Sequence, residues 1–297
     1  MDGQGLRQLT DGPYDDIEPT YLPDGEILFV SSRCKRYVPC WRTHVATLYR
    51  CDGDGQNVRS LSSNVEHDNT PALLPDGRVL YTRWEYVDRC DMTFHHLWTM
   101  NPDGTEQMVF YGNMHPGCLM IDARPIPGTR QVLAIFSTEH GSPEHRGNVV
   151  IVDPEAGPDR IEAARFLNGP SRSMELGYRN PYPLAADVFL VAEDFREGNR
   201  KASRLLLMDD QGRWSEIYRA PEDGLLVHEP RPLRPRPREP VLAPRSDPSR
   251  STGLLVLSDV NHGRNMAGVQ PGEIKKLLVL EQLAKPWNGN PWPDMIT

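Results

Sequence analysis

Glu18-Pro-Thr-Tyr-Leu-Pro-Asp-Gly-Glu-Ile-Leu-Phe-Val30 is answered 52 residues later by Thr70-Pro-Ala-Leu-Leu-Pro-Asp-Gly-Arg-Val-Leu-Tyr-Thr82. Each copy has a Pro-led first strand, a tight Pro-Asp-Gly turn and a second strand of β-branched and aromatic residues, which is the pattern of an antiparallel hairpin. A third strand and a second glycine turn follow: Thr47–Cys51 with Asp52-Gly-Asp-Gly55, then Leu97–Met100 with Asn101-Pro-Asp-Gly104. Fainter copies place second strands at Val132–Ile135, Val188–Val191 and Val241–Pro244, and third strands at Val149–Val152, Leu205–Met208 and Leu254–Leu257.

The prolines that open the first strands, Pro19, Pro71, Pro125, Pro181 and Pro230, are separated by 52, 54, 56 and 49 residues. A period near 50 residues with four short strands per unit is the signature of a repeat that buries both faces of each sheet against its neighbours. The expected fold class is therefore all-β, a β-propeller of five or six four-stranded blades. Spare strand-like segments at Leu6–Thr10 and Ile274–Leu283 would close the ring or form a sixth blade. Residues 1–285 read as a single domain, and 286–297, where prolines flank two tryptophans, as a linker to a missing domain.

The net charge of −8 disfavours a nucleic-acid backbone as partner. The one basic run, Arg231-Pro-Leu-Arg-Pro-Arg-Pro-Arg238, reads as an extended, solvated connection. No apolar run is long enough for a membrane-spanning helix, and no secretory signal follows Met1. Five cysteines leave at least one thiol unpaired.

The repeat phrases resemble the WD40-like repeats of TolB-type propellers. Ser32-Arg-Cys34, Tyr81–Arg89, Asn101–Gly104, Phe110-Tyr-Gly-Asn113, Arg124-Pro-Ile-Pro-Gly128 and Gly272–Leu277 further resemble the middle domain of the hydrazine synthase alpha subunit and of large multidomain proteins that share it. With the acidic, loop-decorated surface and the abrupt ends, the expectation is a non-haem module of a larger exported protein, periplasmic or secreted, that resembles this middle domain and acts as a binding and assembly scaffold for neighbouring domains or subunits. That subunit is a multihaem enzyme, whereas this chain has no Cys-x-x-Cys-His; its nearest approach is Cys40-Trp-Arg-Thr-His44. A multihaem oxidoreductase reading therefore requires haem motifs outside this segment.

The residues ahead of each phased proline are expected to converge at one mouth of the ring. They supply the candidates Asp16, Glu18, His67, Asp68, Asp122, Arg124, Arg179, His228 and Glu229, with Asp15, Tyr178 and Asn180 beside them. Carboxylates and imidazoles on a closed ring suit a divalent metal (Zn, Mn or Ca), or general acid and base work on a glycan in a metal-assisted lyase or hydrolase. The mundane alternative is that they bond to one another and to trapped water.

Two further sets have ligand chemistry. Cys34, Cys40 and His44 offer three soft ligands to zinc, or a small disulfide loop. His140 and His145 bracket a turn. His95 and His96 are adjacent on a strand and so face opposite ways, which reads as one buried and one exposed. His115 and Cys118 lie near the expected mouth. No nucleophile elbow or phosphate-binding glycine loop is present.

Overall fold

The computed structural model describes residues 4–280 except 40, 42, 87–91, 116–117, 138–144, 169–176, 222–223, 248 and 264. Among these, sixteen strands form three sheets of four, eight and four strands. The first sheet holds β1 (Asp16–Tyr21), β2 (Ile27–Ser31), β3 (Thr47–Cys51) and β4 (Arg59–Ser60) in sequential antiparallel order. The last holds β13 (Gly177–Pro183), β14 (Val188–Glu197), β15 (Arg200–Asp209) and β16 (Trp214–Arg219) in the same order.

The middle sheet fuses two such units. β5 (Asp68–Leu73), β6 (Val79–Trp84), β7 (Phe94–Met100) and β8 (Met108–Tyr111) form one, and β9 (Cys118–Pro125), β10 (Val132–Ser137), β11 (Asn148–Val152) and β12 (Ala164–Phe166) the other. Parallel pairing of Phe94 with Cys118 and of His95 with Leu119 joins β7 to β9 and makes the sheet mixed.

The hairpin reading of the repeat holds. In the Pro-Asp-Gly turns, Leu22 N–H donates to Glu26 O at 2.8 Å and Leu74 N–H to Arg78 O at 2.9 Å. Gly25 and Gly77 adopt φ of 94° and 87°, a region open to glycine because it lacks Cβ.

The expectation of a closed propeller of five or six blades is overturned. None of the three sheets closes on itself, four units rather than five are built, and the described residues after Arg219 contain no strand. Leu6–Thr10 and the described part of Ile274–Leu283 are likewise not strands. The physical reason lies in the chain itself. Val241–Pro244 ends in a proline, and the Arg-Pro run ahead of it is short of the N–H donors a ladder requires. Leu254–Leu257 then has no neighbouring strand to pair with, and its side chains are exposed. The predicted linker lies outside the described residues.

Burial follows the alternation of strand side chains. Leu28, Val30 and Leu48 pack against Leu73, Val79 and Tyr81. Leu80 and Leu97 pack against Val132, Ala134 and Val150. Leu133, Ile135, Val149 and Ile151 meet Phe189, Val191 and Met208. Three apolar layers thus bind the four units face to face, which is why β2, β10 and β11 are buried along their whole length. Among the described residues, no helix is long and apolar enough to cross a membrane.

Candidate functional site

Each first strand carries a bulge at the same place. Ile17 and Thr20 pair with Val30 and Leu28, Asn69 and Ala72 with Thr82 and Leu80, Ile121 and Arg124 with Ile135 and Leu133, and Arg179 and Tyr182 with Ala192 and Leu190. Two residues therefore oppose one in every unit, which bends the strand and redirects a side chain. The first bulge residue is left-handed each time: Glu18 (φ 53°), Thr70 (50°), Asp122 (57°) and Asn180 (45°). Glu229 (φ 40°) repeats the conformation in the strandless fifth segment. Such geometry is costly for a residue with a side chain, above all for β-branched Thr70, and needs compensation.

The compensation is a chain of hydrogen bonds from unit to unit. Glu18 Oε2 accepts from Thr70 N–H, Thr70 Oγ1 accepts from Asp122 N–H at 3.1 Å, Asp122 Oδ2 accepts from Asn180 Nδ2 at 3.2 Å, and Asn180 Oδ1 accepts from Glu229 N–H at 3.3 Å. Thr70 Oγ1 also lies 3.3 Å from Thr82 Oγ1, which donates to Met120 O at 2.7 Å.

These positions also correct the sequence phase. The residue before the proline is the structural marker in four segments, but in the third unit it is Asp122, with Ala123 where the others have proline. Pro125 lies two residues further along β9 and pairs with Val132.

The predicted mouth residues fall into separate networks. Glu18, Asp122, Arg124 and Glu229 come together with Arg231, each within electrostatic reach of Arg124. Burial pushes the Glu18 carboxyl up to about 7, opposed by the Thr70 N–H and reinforced by Asp122. Burial also brings Arg124 down to about 10, with Arg231 adding to the effect. Exposed His145 is within electrostatic reach of Glu18; its expected partner His140 lies outside the described residues.

Arg179 and His228 belong to a second network. Buried Asp194 accepts from Arg179 Nη2 at 3.0 Å and from Arg146 Nε at 2.9 Å, and Arg179 Nη1 lies 3.1 Å from His228 Nδ1. Burial and the Arg179 charge lower the His228 pKa. Asp194 and Arg146 had no sequence marker, since they stand on β14 and in a loop away from the phased prolines.

His67 and Asp68 form a third. His67 Nδ1 accepts from Ala46 N–H at 3.1 Å and its ring stacks on Trp84 at 5.8 Å. Asp68 is fully buried, its Oδ1 accepting from Asn64 Nδ2 at 3.2 Å while Oδ2 has no hydrogen-bond partner among the described residues; burial raises it to about 6. Nearby in sequence, Glu66 is 0% exposed, neither oxygen is hydrogen-bonded among the described residues, and burial raises it to about 8. Asp16 stands apart: despite burial, hydrogen bonds from Ser31 (2.6 Å) and Arg33 (2.8 Å) hold its carboxyl below the usual range.

Among the described residues, no group of three or more His, Cys, Asp or Glu side chains is placed to hold a metal ion. Cys34 is a free thiol that donates to Val45 O at 3.1 Å, and His44 bridges to Tyr37 with ring centroids 4.5 Å apart; Cys40 lies outside the described residues. Both His95 and His96 are buried, against the expectation of one exposed, because β7 is covered on both faces: His95 stacks on Trp84 at 4.9 Å and His96 meets the Phe94 ring edge-on at 4.7 Å. His115 Nε2 is 2.9 Å from Asp159 O, and Cys118 is a free thiol raised to about 12 by burial.

No family model matches the chain, and no curated protein matches it. Among solved structures, the fold is similar to hydrazine synthase from Kuenenia stuttgartiensis, with a TM-score of 0.62 at 18% identity, covering 74% of this chain and 35% of that one. This chain thus spans about a third of the length of the protein it matches. A puromycin-hydrolysing peptidase from Mycobacterium tuberculosis aligns with a TM-score of 0.48 at 10% identity over 70% of this chain and 31% of that one. An α-L-arabinofuranosidase from Lactobacillus brevis aligns at 0.41 and 14% over 68% and 72%. At these identities the likeness is one of fold.

Proposed function

We propose that this chain is a non-haem binding and assembly module, the counterpart of the middle domain of the hydrazine synthase alpha subunit in a larger protein. The observation that carries the reading is the unit-to-unit chain from Glu18 through Thr70, Asp122 and Asn180 to Glu229. Side chains that would line a reactive mouth are engaged in holding neighbouring units in register, as a rigid platform requires. The likeness to one part of a longer hydrazine synthase chain supports the modular role, and the missing Cys-x-x-Cys-His supports the non-haem one.

The test mixes the purified chain with the separately purified flanking domains of its parent protein and follows the mixture by size-exclusion chromatography with light scattering. Co-elution is the expected result, and independent elution removes the assembly role. Metal analysis and an absorption spectrum of the same sample are expected to show neither a stoichiometric metal nor a Soret band.

A further inference from the structure

The chain beyond the fourth unit first follows that unit and then leaves it. Asn180 Oδ1 accepts from Glu229 N–H, the Arg231 guanidinium lies 5.5 Å from the centre of the Tyr182 ring, and Arg234 Nη2 donates to Leu184 O at 2.5 Å. Residues 229–234 thus run along β13 from its bulge to its far end. Next the chain meets the first unit, where a cavity of about 270 Å³ is lined by Tyr21, Pro23 and Gly25 on one side and by Arg236, Arg238 and Glu239 on the other. It then meets the second. Pro240 O would lie 2.5 Å from a Cβ placed on Gly77, and the N–H groups of Arg245 and Ser246 both donate to Asp103 Oδ2, at 2.5 and 2.9 Å. The Arg245 guanidinium pairs with Glu106. Every one of these contacts beyond Arg231 falls at the turn end of its unit, away from the bulges.

Composition suits the segment to a strap. Pro232, Pro235, Pro237 and Pro240 keep it extended and remove N–H donors, so it crosses the units without joining a sheet. What it bridges is otherwise unbridged: the apolar layers join the first unit to the second, the second to the third and the third to the fourth, and among the described residues the first and fourth share none. An open stack of this kind can splay between its outermost units. The strap's seat on the second unit is ionic and exposed, with Arg245 63% and Glu106 48% accessible. Despite partial burial, hydrogen bonds from Thr105, Arg245 and Ser246 hold the Asp103 carboxyl down to about 2, so it stays charged across the ordinary pH range. Exposed ion pairs contribute little and are screened by salt, which makes such a seat easy to vacate.

We infer that residues 234–246 are a releasable clasp that holds the first and second units against the fourth, seated by Asp103 and Glu106 and opened by ionic strength. The device goes beyond the assembly role, which needs no movable part, and it uses none of the bulge residues that link unit to unit.

Limited trypsin digestion of the full chain reads the clasp. Arg231, Arg234 and Arg236 each precede proline and resist trypsin, which leaves Arg238–Glu239 as the cleavable bond between Arg219 and Arg245. At low salt that bond is expected to be cut at least about tenfold more slowly than Arg250–Ser251 on the same chain, because seating withholds an extended segment from the protease. The difference is expected to vanish near 1 M salt, where the Debye length falls to about 3 Å. Arg245→Glu sets a negative charge against Asp103 and Glu106 and alters no residue of the four units, so it is expected to remove the protection at low salt, whereas Arg245→Lys keeps it. Small-angle X-ray scattering of Arg245→Glu is expected to show a larger radius of gyration with an unchanged circular dichroism spectrum. Equal cleavage of the two bonds at low salt, protection that persists in Arg245→Glu, or a radius of gyration that this substitution leaves unaltered overturns the proposal.

Discussion

The hydroxyl oxygen of Thr70 accepts the backbone N–H of Asp122 at 3.1 Å, across the 52 residues of one repeat. Both residues are left-handed and both are buried, so the bond fastens two strained bulges to each other at the seam of two units. Thr70→Val is expected to lose about 1–3 kcal/mol, the cost of leaving a buried donor unsatisfied, whereas Thr70→Ser keeps the acceptor and lies close to the unaltered protein. Urea denaturation of the pair separates the hydroxyl from the methyl.

Asp194 accepts from two arginines while almost wholly buried. Removing its charge leaves Arg179 buried beside Arg146 with no ion-paired carboxylate among the described residues. Asp194→Asn is expected to cost about 3–5 kcal/mol, read as a lower urea midpoint at unchanged slope. A change within error of zero would show that solvent reaches the pair.

Glu66 makes stability fall as the solution becomes alkaline. Its folded pKa, about 8, lies above its unfolded value of 4.5, so its contribution is complete below 4.5 and is lost as pH rises through about 8. Asp68 and Glu18 act in the same direction but finish near 6 and 7. Between pH 7 and 8 the slope therefore belongs mainly to Glu66, at up to about 1.4 kcal/mol per pH unit. Glu66→Gln is expected to flatten the stability profile there; an unchanged slope would place the titration elsewhere.

His228 acts with the opposite sign. Burial and Arg179 lower its folded pKa below the ordinary 6.5, so stability is whole above 6.5 and is lost as pH falls below it. The segment it anchors also donates Val227 N–H to Ser203 Oγ at 2.9 Å and Glu229 N–H to Asn180 Oδ1 at 3.3 Å. The protection of the Val227 and Glu229 amides, measured relative to intrinsic exchange at each pH, is expected to fall between pH 7 and 5, and His228→Gln to flatten that fall.

The repeat was legible because its hairpins are local: a Pro-Asp-Gly turn and two apolar strands lie within thirteen residues, and the hydrophobic alternation that packs Leu28 on Val79 is visible in each strand by itself. Glu18, Asp122, Arg124 and Glu229 were singled out by position and do converge, while His67 and Arg179, chosen by the same rule, belong to other networks. Asp194 and Glu66 carry much of the electrostatics yet occupy no repeat position that a linear pattern would mark.

By itself, the sequence determined that the protein is built of repeated antiparallel hairpins with glycine turns, because turn chemistry and strand alternation act over a few residues. Only the tertiary structure decided that four units form among the described residues, that β7 and β9 fuse two of them, and that the third repeat is phased on Asp122 rather than Pro125. Those outcomes depend on partners about fifty residues away. Strand pairing, bulge register and the burial that raises a carboxyl pKa are properties of what packs alongside, and no residue carries that information alone.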